Sequence, residues 1–356
     1  MVDLISVVVT GAGAPGIVGT IYSLRHNPDN RRFKIISTDI RDNVVGKYLS
    51  DSFYRVPPAE SPDYVEVMKS IVIKEKALVI LPQTTREVEA LSKNLNEFDR
   101  IGVKVVVSGY DTIKIANDKF LLLEKAKELG IPYPLYYLVS SEKELLEALN
   151  SLNYPSNKVV VKPRISNGMR GLRILTEDSW DVERFLSEKP EGIEINLNNL
   201  LSILRNGIFP ELLVMEYLNG EEYTVDVFRN NSGIIAIPRL RSAIRSGITF
   251  EALVDLREDL IVYSEKLADA LGLRYCFGFQ FKFSKEGIPK LLECNPRIQG
   301  SMVVSKFANF NMIYYSVMEA LGCKIDLKEV HIYNGIRFVR YWGGIAELHG
   351  NFIGRI

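Results

Sequence analysis

A glycine-rich turn near the N-terminus contains the first residues whose spacing suggests chemistry. Six residues that begin at Gly11 and end at Gly16 read G-x-G-x-x-G, and they follow an unbroken apolar run at positions 5–9. Asp39 lies 23 residues beyond Gly16, close to where a ribose-binding acid falls in dinucleotide-binding folds. An NAD(P)-dependent oxidoreductase is therefore one hypothesis. The alternative is structural, because any doubly wound fold needs a tight turn where its first strand meets its first helix.

A second group of residues combines lysines, a glycine- and arginine-rich loop, and acids and amides in one order along the chain. Lys119 begins a helix, and Lys162 ends a valine-rich strand that leads into a donor-rich loop. The other members are Ser166, Gly168 and Gly171 in the loop, Glu216, Leu218 and Glu222 near two strands, Gln280 on a strand, and Glu293, Asn295 and Arg297 at the end of the next. Each has an ordinary explanation alone, as a strand end, a helix cap or a turn. What indicates a shared function is that all of these residues occur together, in this order along the chain.

The elements that would position these residues fall into two patterns. Residues 1–112 alternate strand and helix signals, which predicts a parallel, doubly wound sheet. The predicted strands are 5–9, 33–38, 78–81 and 103–107, and the predicted helices are 17–25, 64–74 and 86–96.

Residues 113–356 have an α+β pattern with antiparallel strands. A helix over 119–129 should end at Gly130, and a helix over 250–271 should end at Gly272. Asn219-Gly220 and Lys285-Glu286-Gly287 are typical of hairpin turns. We therefore predict that a larger, mixed domain follows the parallel-sheet domain.

Composition excludes several classes of protein. The chain of 356 residues has 44 Lys+Arg and 44 Asp+Glu, and 47% of its residues are hydrophobic. This balance argues against a disordered chain and against nucleic-acid binding through bulk positive charge. The sequence also contains no apolar run long enough to span a membrane and no evident leader, so we expect a cytoplasmic protein. Three cysteines and three histidines form neither a disulfide framework nor a zinc-binding spacing.

The second group of residues resembles the ATP-grasp superfamily, and specifically one half of the carbamoyl phosphate synthase large subunit and its single-unit relatives. Asn295-Pro296-Arg297, followed by Gly300-Ser301 and Ser305-Lys306, is similar to that branch's own signature. The resemblance covers essentially the whole chain. It implies a doubly wound pre-ATP-grasp domain over 1–112, followed by a two-lobed ATP-grasp domain over 113–356. The small lobe would span about 130–220 and the catalytic lobe about 221–356.

The resemblance also implies a ligand for most of these residues. Lys119 and Lys162 would hold the α- and β-phosphates of ATP, and the loop with Ser166, Gly168 and Gly171 would close over them. The strand edge at Glu216 and Leu218 would read adenine through its backbone, and Glu222 would bind the ribose. Gln280, Glu293 and Asn295 would coordinate Mg²⁺, with Mn²⁺ left open as a substitute. Gln280 departs from the acid found in many members, which leaves Glu293 as the one carboxylate in this set.

The reaction implied by the resemblance is carboxylate–amine ligation through an acyl phosphate, with release of ADP and phosphate. Arg297 would hold the γ-phosphate and the attacking carboxylate, and Arg241 is the choice for a second catalytic cation over Arg239 and Arg245. The expected partners are a small carboxylate, an amino acid among the candidates, and an amine. A homodimer is left open. The rival hypotheses are the oxidoreductase and a non-catalytic ATP-binding protein.

Overall fold

The structure is a computed structural model that describes residues 4–166, 168–178, 181–187, 192–348 and 351–355. Contacts divide these residues into two compact units that do not follow chain order. Unit 1 contains the described residues up to Asn117, Glu222–Phe281 and the described residues from Glu293 onward. Unit 2 contains Asp118–Glu221 and Lys282–Leu292. The predicted domain limits at 112/113 and near 220 remain predictions.

The N-terminal part of unit 1 is a parallel sheet with helices between its strands. Its elements are β1 (Leu4–Val9), α1 (Ile17–Arg25), β2 (Arg32–Asp39), α2 (Val45–Leu49), β3 (Ser52–Arg55), α3 (Tyr64–Glu75), β4 (Val79–Leu81), α4 (Thr85–Lys93), α5 (Leu95–Arg100), β5 (Lys104–Val105) and α6 (Tyr110–Asn117). The strand order is β3-β2-β1-β4-β5, with parallel pairing throughout. The order reverses between β1 and β4, which is where ligands bind in open α/β sheets.

Strand β1 is the central strand of this sheet, and both of its faces are buried. Val7, Val8 and Val9 are completely buried, because Val7 and Val9 pack on the α1 side and Val8 packs on the α3 side. A strand covered on both faces has the continuous apolar run seen in the sequence. The predicted helix over 86–96 is wrong in its extent, because α4 ends before Asn94 and α5 begins directly after it.

Unit 2 is built around a mixed sheet. Its elements are α7 (Lys119–Glu128), β6 (Tyr136–Val139), α8 (Glu142–Ser151), β7 (Val159–Pro163), β8 (Arg173–Leu175), α9 (Val182–Ser187), β9 (Glu194–Ile195), α10 (Leu197–Leu204) and β10 (Leu212–Glu216). The strand order is β6-β10-β7-β8-β9. Gly130 has φ +65° just after α7, so the predicted stop at this glycine is confirmed.

The remaining elements of the chain form a second, antiparallel sheet and a short hairpin. They are β11 (Glu222–Asn230), β12 (Gly233–Arg245), β13 (Ile248–Val254), α11 (Glu258–Leu271), β14 (Tyr275–Phe283), β15 (Pro289–Asn295), α12 (Val304–Phe307), α13 (Met312–Ala320), β16 (Arg337–Val339), β17 (Ile345–Leu348) and β18 (Asn351–Arg355). The sheet order is β15-β14-β11-β12-β13-β16, and β17 pairs with β18. Together with the N-terminal sheet, this arrangement confirms the predicted fold class.

The predicted hairpin at Asn219-Gly220 is wrong, because β10 and β11 belong to different sheets. Gly220 instead donates its N–H to the Phe283 carbonyl at 3.1 Å. A Cβ atom at position 220 would lie 2.6 Å from that oxygen. Close backbone approach, and not turn geometry, requires the glycine here.

The predicted helix over 250–271 is wrong in its first part. Phe250, Ala252 and Val254 are buried at alternate positions, and their strand β13 pairs with β12 on one side and β16 on the other. The helix begins only at Glu258, and it ends at Gly272 with φ +66°, as expected. Within the described residues, no helix is both long and apolar enough to cross a membrane.

Candidate active site

Lys119 joins helix α7 to the glycine-rich loop of unit 2. The Asp118 carboxylate caps the helix by accepting the N–H groups of Phe120 and Leu121 at 3.0 and 3.2 Å. Lys119 follows directly and is 6% exposed. Its ammonium group donates to the carbonyl and the hydroxyl of Ser166 at 2.9 and 3.2 Å. Two residues predicted to bind phosphate are thus in direct contact.

Lys162 lies near the end of strand β7 and is also 6% exposed. Its Nζ donates to the Leu292 carbonyl at 3.3 Å. Burying an ammonium group is costly unless strong acceptors surround it, so a second buried lysine near the same loop favours an anion-binding role.

The loop after β7 adopts backbone angles that favour glycine. Gly168 and Gly171 have φ values of +61° and +76°, and a Cβ atom at position 171 would lie 2.5 Å from Cγ of Pro163. Arg164 is held within unit 2 by Asp118 at 2.8 Å and Glu211 at 3.2 Å. Asn167, which belongs to the predicted loop, lies outside the described residues.

Glu216 and Leu218 flank the end of strand β10. The Glu216 carboxylate accepts the N–H of Leu135 at 2.7 Å and pairs with Lys290 at 2.5 Å. Leu218 is buried. The side chains of Glu216 and Leu218 therefore have structural contacts. The predicted contact with adenine would be made by the backbone of this segment.

Glu222 and Arg241 form an ion pair on the neighbouring strands β11 and β12. Arg241 also donates to the Thr249 hydroxyl at 2.9 Å and to the Gly247 carbonyl at 2.7 Å. Burial lowers the pKa of the Arg241 guanidinium, while the Glu222 charge opposes that shift. The predicted ribose acid and the predicted second catalytic arginine are thus direct partners.

The two arginines passed over in favour of Arg241 have evident structural contacts. Arg239 is completely buried, and its guanidinium pairs with both carboxylate oxygens of Asp226 at 2.7 and 2.9 Å and with Ser301 at 3.0 Å. Arg245 lies over the Phe250 ring at 4.7 Å.

Glu293, Asn295 and Arg297 form a hydrogen-bonded chain at the end of β15. The Asn295 amide donates to Glu293 Oε1 at 3.2 Å, and Arg297 donates to Asn295 Oδ1 at 3.0 Å. Arg297 also donates to the Ile298 carbonyl at 3.0 Å and to the Thr85 hydroxyl at 3.3 Å. Burial lowers the pKa of Arg297, and the Glu293 charge opposes that effect.

The oxygen atoms of this chain suit a hard divalent cation. Glu293 and Asn295 are two positions apart on β15, and Gln280 lies on the adjacent strand β14. One carboxylate with two amide oxygens is a weak set alone, and the described residues contain no group of three His, Cys, Asp or Glu residues placed to hold a metal. The set fits Mg²⁺ when phosphate oxygens complete its shell.

The N-terminal glycine turn has surroundings unlike those of a phosphate site. The Gly13 N–H donates to Asp39 Oδ2 at 2.7 Å, and the other oxygen of Asp39 accepts the Arg41 N–H at 3.0 Å. At the start of helix α1, a Cβ atom on Gly16 would lie 3.2 Å from Cα of Gly300. The Asp39 carboxylate therefore accepts one of the N–H groups of the turn, and the backbone at Gly300 packs against the start of helix α1.

Comparison with known families agrees with these contacts. Residues 208–341 match the model described as "ATP-grasp in the biosynthetic pathway with Ter operon". The chain carries an ATP-grasp domain. Residues 7–106, ahead of the ATP-grasp domain, match the model "PylC-like, N-terminal domain". Both matches confirm the predicted resemblance.

Relatives of this chain include carbamoyl phosphate synthase large chains. The protein from Clostridium acetobutylicum is 24% identical over 288 residues, which cover 75% of this chain and 25% of that one. The protein from Lachnoclostridium phytofermentans is 29% identical over 238 residues, covering 64% of this chain and 20% of that one. The chain thus spans a quarter or less of the length of these two relatives.

Solved structures show the same fold. N5-carboxyaminoimidazole synthetase from Staphylococcus aureus, complexed with ADP, has a TM-score of 0.66 at 16% identity and covers 90% of this chain and 78% of its own. The biotin carboxylase domain of 2-oxoglutarate carboxylase from Hydrogenobacter thermophilus, a dimer with MgADP, ADP and bicarbonate, has a TM-score of 0.70 at 16% identity and covers 93% and 73%.

Sequence reasoning missed two residues that the structure places near Arg297. Thr85 contacts Arg297 directly, and Glu87 is buried with its carboxylate on the hydroxyls of Thr10 and Thr84. The available signal was Thr84-x-x-Glu87, which has the pattern of a helix capping box. That pattern predicts a helix start, and it gives no reason to expect a buried charge.

Proposed function

We propose that the protein is an ATP-dependent carboxylate–amine ligase. In the first step a carboxylate oxygen attacks the γ-phosphorus of ATP, and ADP leaves. In the second step an amine attacks the carbonyl carbon of the acyl phosphate, loses a proton, and displaces inorganic phosphate. The acyl phosphate is needed because a free carboxylate has no good leaving group at neutral pH.

One observation carries the proposal: the hydrogen-bonded chain from Glu293 through Asn295 to Arg297. It sets a cation beside oxygen atoms suited to a divalent metal. Phosphoryl transfer depends on positioning and on neutralising charge, so such a pairing fits a site that transfers phosphate. Simple nucleotide binding does not require the arginine, which weighs against a non-catalytic ATP-binding protein.

The other predicted residues supply the nucleotide contacts in this proposal. Lys119 and Lys162 hold the phosphates, and the Ser166–Gly171 loop contributes backbone N–H donors. The backbone at Glu216 and Leu218 binds adenine. Glu222 binds the ribose and keeps Arg241 oriented, as their ion pair indicates.

Magnesium is the proposed metal, held by Glu293, Asn295 and Gln280, with Mn²⁺ as a possible replacement in vitro. When bound with the nucleotide, the ion neutralises charge on the phosphates. Arg297 then orients the γ-phosphate and the attacking carboxylate. Lys119 and Lys162 stabilise the negative charge that develops on the departing ADP.

The substrates are proposed to be small molecules, and the enzyme to work in the cytoplasm. A dimer is the proposed assembly, since a relative in fold is described as one. The dinucleotide hypothesis loses support because Asp39 occupies the Gly13 N–H that would face a pyrophosphate.

The test is ADP release from MgATP against a panel of amino acids and other small carboxylates, with and without amines. We expect turnover that requires one carboxylate and disappears in Glu293→Ala. The matched control is Glu286→Ala, an exposed acid in the turn between β14 and β15. Turnover that is equal in both variants, or that needs no carboxylate, would contradict the proposal.

A further inference from the structure

A buried carboxylate lies where the strand order of the N-terminal sheet reverses. Glu87 belongs to the first turn of α4, just beyond β4, and is 6% exposed. Its Oε2 accepts the hydroxyls of Thr10 at 2.7 Å and Thr84 at 2.6 Å. Burial raises the pKa of Glu87 despite these hydrogen bonds, and the nearby Asp39 adds to the rise. A capping glutamate normally lies in water, so its burial needs another explanation.

Glu87 and Arg297 form no direct ion pair, because within the described residues neither side chain has an oppositely charged group within 4 Å. The Glu293 and Glu87 charges act on Arg297 from a longer distance. The adjacent residues Thr84 and Thr85 connect the two side chains, because Thr84 hydrogen-bonds to Glu87 and Thr85 hydrogen-bonds to Arg297. Buried or half-buried charges are ordinarily paired. A ligand that carries both signs would give each of these two side chains the direct partner that it lacks.

Two buried hydroxyls near Glu87 lack hydrogen-bond partners. Thr38 Oγ1 and the hydroxyl of Tyr64 are fully buried and unsatisfied within the described residues. The parallel register of β1 and β2 pairs Val9 with Ser37, and Thr10 and Thr38 are the next residues of the two segments. Tyr64 packs in the core that contains Val8, and the Glu87 charge adds to the effect of burial on the pKa of Tyr64. Such hydroxyls are usually satisfied by water or by a ligand.

The sign of the surrounding charge selects the ligand at this end. A Cβ atom at Gly11 would lie 3.4 Å from Glu87 Oε2. On the other side of the turn, a Cβ atom at Gly13 would lie 2.5 Å from the Arg41 guanidinium and 3.2 Å from Asp39 Oδ2, and Arg41 lies 3.7 Å from the second Asp39 oxygen. Asp39 therefore already has a cation beside it, whereas no cation among the described residues pairs with Glu87, and the Glu87 charge attracts one. An ammonium group offers three donors, which suit the carboxylate and the neighbouring hydroxyls.

We propose that this edge selects an amino acid as the carboxylate substrate of the ligase. The ammonium group binds Glu87, Thr38 and Tyr64, and the carboxylate lies against Arg297, where it is phosphorylated. The inference rests on the proposed function. Because Glu87 keeps the ammonium group of this molecule away from the reacting carboxylate, the nucleophile of the second step comes from a different molecule.

The experiment measures amino-acid binding by the shift in thermal unfolding, with and without MgADP. The ligands are both enantiomers of each proteinogenic amino acid and their N-acetyl derivatives, which lack the ammonium charge. We expect at least one amino acid to stabilise the wild type and its N-acetyl derivative to do nothing. No amino acid that binds, or equal binding of the acetylated form, would overturn the inference.

The variant is Glu87→Gln, which keeps the shape and loses the charge. Its affinity for the selected amino acid should fall about 10- to 100-fold, as expected for loss of a charged hydrogen bond. The control is Glu89→Gln on the same helix, where the exposed carboxylate pairs with Lys93 at 3.2 Å. Equal affinity in wild type and Glu87→Gln would overturn the inference.

If Glu87→Gln does not fold, Tyr64→Phe tests the same inference. The Tyr64 hydroxyl makes no hydrogen bond in the described part of the structure, so its removal should leave the fold intact. Several-fold weaker binding with unchanged stability supports the inference, and unchanged binding overturns it. Failure of the proposed function gives a different result, because the wild type then releases no ADP from MgATP in response to any carboxylate. The nucleotide-free arm still decides the amino-acid site in that case.

Discussion

The chain contains two glycine-rich turns, and their surroundings differ in charge. The turn from Gly11 to Gly16 has the sequence pattern of a dinucleotide site, but Asp39 accepts one of its N–H groups and Glu87 lies beside it. The loop from Ser166 to Gly171 has a looser pattern, and the buried ammonium group of Lys119 contacts Ser166. The ligand of a glycine turn is thus decided by the charges around it.

The difference has a simple electrostatic basis. Backbone N–H groups attract anions in either turn, but only if no carboxylate already occupies them. In the first turn the protein's own acid takes the place that a phosphate would need. In the second, the buried Lys119 ammonium group adds to the attraction of the backbone, whereas Arg41 at the first turn lies against Asp39. On this basis we assign the nucleotide to the loop at 166–171. The turn at 11–16 has a structural role and, in our proposal, lies beside the site of an ammonium group.

The largest expected effect comes from removing a cation near the second loop. Lys162→Met should weaken MgATP binding about 100-fold or more, because it removes a charged contact to phosphate. Calorimetric titration measures the affinity.

The matched control for that variant is Lys158→Met, near the start of the same strand, where the lysine pairs with Asp178 at 2.8 Å. Its MgATP affinity should equal that of the wild type. Equal loss in both variants would show that the effect is not specific to the loop.

A second comparison substitutes one glycine in each turn. Gly168→Ala and Gly16→Ala should each reduce stability by about 1 kcal/mol, the first through its positive φ and the second through close contact with Gly300. Only Gly168→Ala should lower the affinity for MgATP. A reversed pattern in denaturant unfolding and nucleotide titration would assign the nucleotide to the first turn.

A third prediction concerns pH and Glu87. Because its pKa is raised in the folded state, the folded protein binds this proton more tightly than the unfolded chain. Stability from this group therefore falls as pH rises from the ordinary glutamate pKa through the folded value. Glu87→Gln should unfold at a higher temperature than wild type at neutral pH, and the gap should narrow as pH is lowered through that range. A gap that widens would contradict the assignment.

The smallest expected effect is an absence of binding. NADH and NADPH should show no change in fluorescence with the wild-type protein, because the Gly13 N–H is already bound to Asp39. Saturable binding of either would restore the dinucleotide hypothesis.

Much of the fold follows from the sequence, because its strands and helices have clear periodicity. Helix α1 has the predicted bounds, and Gly130 and Gly272 end their helices as expected. The errors occurred where long-range contact outweighs a local signal. Gly220 is a glycine because Phe283 approaches it, and no turn signal in the sequence can report that contact.

The candidate site shows the same limit. The order of Lys119, Lys162 and the Glu293–Arg297 segment was visible in the sequence, because these residues follow recognisable strands and helices. The pairing of Glu222 with Arg241 was not, since it depends on the register of β11 against β12. Glu87 was missed because a capping pattern does not reveal whether the carboxylate is buried.

The central claim is that an acyl phosphate forms, and oxygen transfer tests it most directly. A carboxylate that supports ADP release is labelled with ¹⁸O and incubated with MgATP, the amine and the enzyme, and the released phosphate is analysed by mass spectrometry. The account predicts that one labelled oxygen passes from the carboxylate to the phosphate in each turnover. Phosphate that carries no label, with product still formed, would contradict it.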